Sequence, residues 1–306
     1  MRIVVGGASG MIGRALVRRL RARGDRVVVL VRREPTDADE IAWDPATGHL
    51  DPAALAGADA VVNLSGESIS KLPWTAARRT AILASRVQAT TAIVGALHAR
   101  ADADEPVPVL VSGSAVGVYG DRPGERLTEA VGPGGGFLAG VVRAWEAAAR
   151  EAPEPTRVVL ARTGLVIGPE GATAPLRTLA RLGLAGPLGG GRQHWPWISL
   201  HDEVAALVHA IDREEVRGPV NLVGPEPATA DRVARAVAAD AHRPYWLPAP
   251  GFAISLALGD AGRDLLLADQ LVVPGALAAS GFAFRHETVE EAVAAGHSAG
   301  SHPPRT

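Results

Sequence analysis

Gly7, Gly10 and Gly13 stand three residues apart as G-x-x-G-x-x-G, directly behind Gly6. Glycine at this spacing serves a tight turn, a close approach of backbone to a pyrophosphate, and close packing of a helix on its strand. The amides around Ser9, Met11 and Ile12 then lie at the positive end of a helix dipole, where phosphate is held. A second group ends the run "VLVRRE". There an NAD site carries an acid for the ribose hydroxyls and an NADP site an arginine for the 2′-phosphate. Arg32, with Arg33, can fork onto a phosphate, so NADP(H) is the expected cofactor; the bland reading is a solvated arginine pair. A third group, Asn63-Leu64-Ser65-Gly66, ends a buried run, and its backbone should line the same crevice. Asn63 serves equally well as a turn-forming cap.

These groups need elements to hold them. "RIVVG" (2–6), "RVVVLV" (26–31), "DAVVNL" (59–64), "VPVLVSG" (107–113) and "TRVVLAR" (156–162) are short continuous apolar runs. Such runs mark strands buried on both faces of a parallel sheet. Between them, Ile12, Leu16, Val17 and Leu20 repeat at helical spacing up to Gly24, and residues 74–99 and 137–150 read as helices. Strands alternating with helices predict an α/β fold, a Rossmann-type doubly wound sheet. Residues 41–50 suggest a small hairpin turning at Gly48. Residues 185–203 read as loop, followed by a helix (203–212), a strand (219–223) and a helix (229–240). Residues 250–296 look helical, with a Pro-Gly break at 274–275. The expected domains are 1–165 for the cofactor, with part of 199–225 returning to it, 166–245 for the substrate pocket, 246–297 as a smaller, partly interleaved C-terminal domain, and 298–306 as a mobile tail.

Composition bounds the chemistry. The chain has 306 residues, 47% hydrophobic and 21% charged, enough for a sizeable core. A net charge of −2 makes no electrostatic case for nucleic acid or anionic membrane. There is no cysteine, so neither disulfides nor thiolate catalysis is available. No charged-then-apolar leader precedes the first strand, and no apolar run reaches the ~20 residues of a bilayer span. The expectation is a cytoplasmic protein, monomer or homodimer, acting on an unknown small molecule. The histidines form neither H-E-x-x-H nor a close cluster, so no metal site is expected. "SGSAVG" is not the G-x-S-x-G elbow of a hydrolase.

The runs "VVGGASGMIG", "VVNLSGESI", "SRVQATT", "VSGSAVGVYG", "VVLARTGLVIG" and "PWISLHDEV" resemble the extended short-chain dehydrogenase/reductase superfamily, and within it an atypical epimerase-like family. "IAWDPATGHLD", "PWTAARRTAILASR" and "LLLADQLVVPGALAASGFAFRHETVEEAV" match that family too, the last resembling its C-terminal domain. The resemblance covers nearly the whole chain. It implies NADP binding, a Rossmann domain and a smaller C-terminal part, and some relatives carry cell-division-inhibitor names.

Competent members of the superfamily use Tyr, a Lys four residues later on the same helix face, a Ser or Thr, and an Asn. By this resemblance Glu146 marks the register, which puts the Tyr position on Leu138 and the Lys position on Val142. No register restores the pair: Tyr119 and Tyr245 are the only tyrosines and Lys71 the only lysine. Arg86 occupies the Asn position. It should face the nicotinamide half of the crevice and hold cofactor in place of the lysine, or else form a buried ion pair. Ser112 and Ser114 lie on the Ser strand, whose strict position is Ala115. Ser114 and Tyr119 are the remaining catalytic candidates, Tyr119 reading equally as core or rim. Val166 resembles the position whose backbone meets the nicotinamide amide, and Arg162 opens the turn before it. His194, Trp195 and Trp197 lie in the loop expected over the substrate mouth, His194 as a substrate contact. His201 and Asp202 read as caps of the following helix. Two functions stay open: an NADP-dependent oxidoreductase or nucleotide-sugar epimerase-like enzyme with a non-standard proton donor, or a non-catalytic NADP(H) sensor or regulator.

Overall fold

In the computed structural model, which describes residues 1–298, the chain runs β1 (Arg2–Gly6), α1 (Met11–Arg23), β2 (Arg26–Val31), β3 (Glu40–Ala42), β4 (Ala60–Asn63), α2 (Ala76–Asp102), β5 (Val109–Ala115), β6 (Arg126–Leu127), α3 (Phe137–Arg150), β7 (Val158–Thr163), β8 (Leu165–Ile167), α4 (Ala174–Arg181), β9 (Trp197–Ser199), α5 (Leu200–Asp212), β10 (Gly218–Leu222), α6 (Ala230–Asp240), α7 (Gly251–Leu258), α8 (Asp260–Gly262), β11 (Leu271–Val272), α9 (Gly275–Ala279) and α10 (Val289–Ser298). Seven strands form one parallel sheet in the order β10-β7-β5-β4-β1-β2-β3. The chain leaves β1 to one side for β2 and β3, then winds to the other through β4, β5, β7 and β10. The winding reverses between β1 and β4, and the carboxyl ends of those strands open a crevice where α/β sheets bind ligands. This is the doubly wound Rossmann-type fold.

Each central strand buries alternate residues against opposite layers. Ile3, Val5, Val62, Val111 and Val159 pack with the faces of α1 and α5, including Leu16, Leu20 and Leu207. Val4, Val28, Val61, Leu110 and Leu160 pack with α2 through Ala89, Ile93 and Leu97. Full burial of each large aliphatic side chain contributes roughly 1.5–3 kcal/mol, so these two layers fix the sheet that positions the crevice. Among the described residues one helix, α2, is long and apolar enough by length and composition to cross a bilayer, though arginines interrupt it; here it is packed on the sheet.

Several local expectations are corrected. Residues 40–42 are a parallel edge strand on β2 rather than the arm of a hairpin. Only an Asp44–His49 bridge around a turn, with Gly48 left-handed at φ +71°, remains of the hairpin. The segment read as loop contains β9, which pairs with β8, and α5 starts at Leu200. The segment read as helical up to residue 296 breaks into short pieces and includes β11, which pairs with β6. α4 was not anticipated at all. Most of the expected mobile tail, residues 299–306, lies outside the described residues.

Candidate functional site

A cavity of about 1320 Å³ lies at the carboxyl end of β1, between the glycine turn, β2 and the segment after β4. Gly7 sits at φ +80°, and a Cβ there would stand 2.5 Å from the carbonyl carbon of Leu64. A Cβ on Gly13 would strike the carbonyl oxygen of Gly7, so that glycine sets how closely α1 seats on its strand. Gly10 is different: a Cβ would meet nothing closer than 3.6 Å. Its bare backbone faces the cavity, which also touches Gly7 and Ser9. Gly10 caps α1 without any side-chain acceptor, leaving the first-turn N–H groups around Met11, Ile12 and Gly13 for a ligand.

Across the crevice Leu64, Ser65 and Gly66 form the facing wall. Asn63 does not line it. Its Oδ1 accepts from the Ser65 amide at 3.1 Å and its Nδ2 donates to Thr90, so it shapes the turn. Among the described residues the Ser65 hydroxyl has no partner although it is buried, and buried polar atoms are normally satisfied. At the end of β2 the two arginines separate in role. Arg33 is clamped on Glu40 at 2.6 and 2.8 Å, and its bonds, with the Thr36 amide, hold the Glu40 carboxyl down to about 2. Arg32 is exposed on the cavity wall. The crevice also has parts the sequence reading missed: Trp43 and Asp44, and Arg14, Arg18 and Arg21 on one face of α1. The arginines were legible at i, i+4 and i+7. Trp43 carried no such signal.

Among the described residues Arg86 forms no ion pair of its own. Its Nη1 donates to the Glu67 and Ile82 carbonyls at 3.0 and 2.9 Å. Its guanidinium lies against Gly66, where a Cβ would come within 3.1 Å, and over the Trp145 ring at 5.2 Å. Burial lowers it to about 10. It therefore backs the Gly66 wall.

The catalytic candidates are not reachable. Tyr119 is fully buried. Its hydroxyl donates to Asn221 Oδ1 at 2.7 Å and receives Arg162 at 2.9 Å, and burial pushes it above the ordinary tyrosine range. Ser114 donates to Glu146 Oε1 at 2.7 Å, and Arg162 clamps the same carboxylate at 2.8 and 3.0 Å. Burial raises the Glu146 carboxyl, but the bonds from Arg162 and Ser114 outweigh this and hold it below the usual range. Asn221 continues the chain of bonds to the Val273 carbonyl and, through its amide, to Glu129. Ser112 is fully buried, its hydroxyl turned to the Gly113 carbonyl. These residues are structural here, a correction with a plain cause: they tie β5, α3, β7 and β10 to the C-terminal segment. Leu138, at the tyrosine position, packs with Trp74, Phe137 and Leu265 in an apolar cluster.

Val166 is buried in β8, paired with Ile198. Trp195 and Trp197 are core. His194 stays part-exposed, and its Nδ1 is fixed by Asp269 at 2.8 Å. The next residue, Gln270, takes the His194 carbonyl and donates to Val116 and Gly120, just beyond β5. The cap of α5 is Ser199, whose hydroxyl accepts from the Asp202 amide. One turn on, Glu203 is fully buried: one oxygen accepts from Thr163 at 2.7 Å and the other has no partner. Burial pushes its carboxyl up to about 8.

Residues 3–224 match the NAD dependent epimerase/dehydratase family, and residues 249–295 match a domain of unknown function, DUF1731. The chain is similar to epimerase family protein Mb2239 of Mycobacterium bovis, 41% identical over 95% of this chain and 96% of that one. It is also similar to epimerase family protein SDR39U1 of Bos taurus, 36% identical over 93% and 95%. Among solved structures, the human epimerase family protein SDR39U1 with NADPH matches at TM-score 0.87 and 32% identity, over 96% of this chain and 98% of that one. A nucleoside-diphosphate sugar epimerase from Corynebacterium glutamicum matches at 0.79 and 31%, over 98% of this chain and 58% of that one.

Proposed function

From a chain that belongs to the NAD dependent epimerase/dehydratase family, we propose a protein whose crevice binds NADP(H) and which acts as an oxidoreductase- or epimerase-like enzyme lacking the Tyr–Lys pair. The observation that carries the cofactor is the pairing of an unsatisfied buried Ser65 hydroxyl with an open Gly10 backbone across one cavity. Amides of the first turn of α1 hold the pyrophosphate, Ser65 adds a hydroxyl, and Arg32 meets the 2′-phosphate. The human SDR39U1 structure, which contains NADPH, supports the choice of phosphorylated cofactor. Bound there, the cofactor supplies a hydride donor or acceptor. Arg86 keeps the Gly66 wall in place behind it. For a proton, His194 is the residue we favour: Asp269 fixes its Nδ1, its ring is part-exposed, and its carbonyl accepts from Gln270, whose side chain in turn donates just beyond β5. The substrate is a small carbonyl compound or sugar nucleotide, and the setting a cytoplasmic one.

A second reading, a redox-state sensor without turnover, is favoured by the burial of Ser114 and Tyr119 and by the apolar cluster at Leu138. Calorimetry of the cofactor-stripped protein tests the shared premise. NADPH should bind at least tenfold more tightly than NADH, and Arg32→Ala should erase that preference, since a charged hydrogen bond is worth ~1.5–3 kcal/mol. Equal affinities, or none, would refute it. Oxidation of NADPH against a panel of carbonyls and sugar nucleotides then separates the two readings.

A further inference from the structure

The sequence shows no close histidine cluster, yet folding brings together two histidines 85 positions apart. His201 and Asp202 stand in the first turn of α5, and His286 in the segment before α10. One ligand atom from each of the three lies within 4.8 Å of the others. His201 Nδ1 is 3.3 Å from Asp202 Oδ1, and His286 Nδ1 is 3.3 Å from Asp202 Oδ2. The two imidazole nitrogens face different oxygens of the one carboxylate, and His286 Nδ1 also meets the Ser199 hydroxyl at 2.9 Å; bonds of roughly 2.0–2.1 Å around tetrahedral zinc give edges of about 3.3–3.4 Å, so the three ligand atoms reach that geometry by closing through roughly 1 Å of side-chain movement.

Two further features favour an ion. Asp202 is 1% exposed and held rigidly: the Arg285 and His286 amides donate to its two oxygens at 2.9 and 3.1 Å, and Ser199 donates at 2.8 Å. Independently, a separate cavity of about 270 Å³ opens beside the two imidazoles, bounded by Ala15 and Arg19 of α1, the Ile167–Pro169 turn and Ala292 of α10. It shares no lining residue with the cofactor crevice.

We propose that His201, Asp202 and His286 form a site for a divalent transition-metal ion such as zinc, with Ser199 or a water in the fourth position. Three protein ligands of the N, N, O type suit zinc and its neighbours rather than magnesium or calcium. The ion clips the first turn of α5 to the C-terminal segment ahead of α10. The proposal does not depend on the cofactor reading.

The test uses the full chain, stripped with a chelator. Zinc titration by calorimetry should show one equivalent bound, and cobalt(II) should give the intense visible absorption of a tetrahedral site. His201→Ala and His286→Ala should each weaken zinc binding at least tenfold, while the melting temperature in chelator stays close to that of the parent. Saturating zinc should raise the melting temperature of the parent only. If either variant does not fold, His201→Gln and His286→Gln replace them. Absence of saturable binding, or binding equally tight in the double variant, which keeps every other histidine, would overturn the site.

Discussion

Glu203 offers the sharpest test of the packing described above. Its carboxyl is fully buried, with one oxygen on the Thr163 hydroxyl and the other unpartnered. Burial lifts it from an ordinary 4.5 to about 8. Below pH 4.5 both the folded and unfolded chains carry this proton. Between 4.5 and 8 the unfolded chain releases it and the folded chain does not, so stability falls as pH rises through that window and levels off above it. Each pH unit inside the window is worth about 1.4 kcal/mol, and the two units from pH 5.5 to 7.5 therefore about 3 kcal/mol. Glu203→Gln keeps the shape and an oxygen for Thr163 but has no proton to release. Any penalty for its unpaired amide is the same at both pH values. Urea unfolding of both proteins at pH 5.5 and 7.5 isolates the effect as a double difference: the parent should lose about 3 kcal/mol more than the variant. Other titrating groups cancel. Parallel pH profiles for the two proteins would show that Glu203 ionises freely and that its surroundings are wetter than described.

Three other outcomes are expected. Gly13→Ala should cost about 1–3 kcal/mol in urea unfolding by driving a methyl group into the Gly7 carbonyl, and should weaken NADPH binding alongside. Arg162→Leu should cost about 3–5 kcal/mol at pH 7 by stranding the Glu146 carboxylate. Because that carboxyl is held below 4.5, the difference from the parent should shrink as pH falls below that value. Arg86→Ala should remove the bonds to the Glu67 and Ile82 carbonyls that hold the Gly66 wall, charged hydrogen bonds worth ~1.5–3 kcal/mol to the fold, and so weaken NADPH binding indirectly and only severalfold; calorimetry with unchanged affinity would limit Arg86 to a packing role.

The strands of the sheet were legible because burial on both faces writes itself as uninterrupted Val, Ile and Leu. The glycine turn was legible because only glycine tolerates the positions at Gly7 and Gly13. What the sequence concealed was pairing across distance. β8 with β9 and β11 with β6 are two- or three-residue ladders whose partners lie about 30 and 145 residues apart, too short to carry a periodicity. Arg32 and Arg33 look alike in sequence, and only the fold of β3 sets Glu40 against the second. Ser114 stands one residue before the strict serine position, Ala115, and Tyr119 four residues beyond it. Their commitment to Glu146, Arg162 and Asn221 depends on four strands and helices meeting at one point, which no local pattern announces.

That meeting point bears on how readily a proton relay of the usual kind could return. Writing Tyr at 138 and Lys at 142 would be the simplest reversion. Val142, however, is 3% exposed and wedged among Val118, Tyr119, Leu127 and Val272. A lysine installed there would enter an apolar pocket, while Glu146, one helical turn on, is already engaged by Arg162 and Ser114. Installing the pair would therefore demand concerted change across several elements rather than two substitutions.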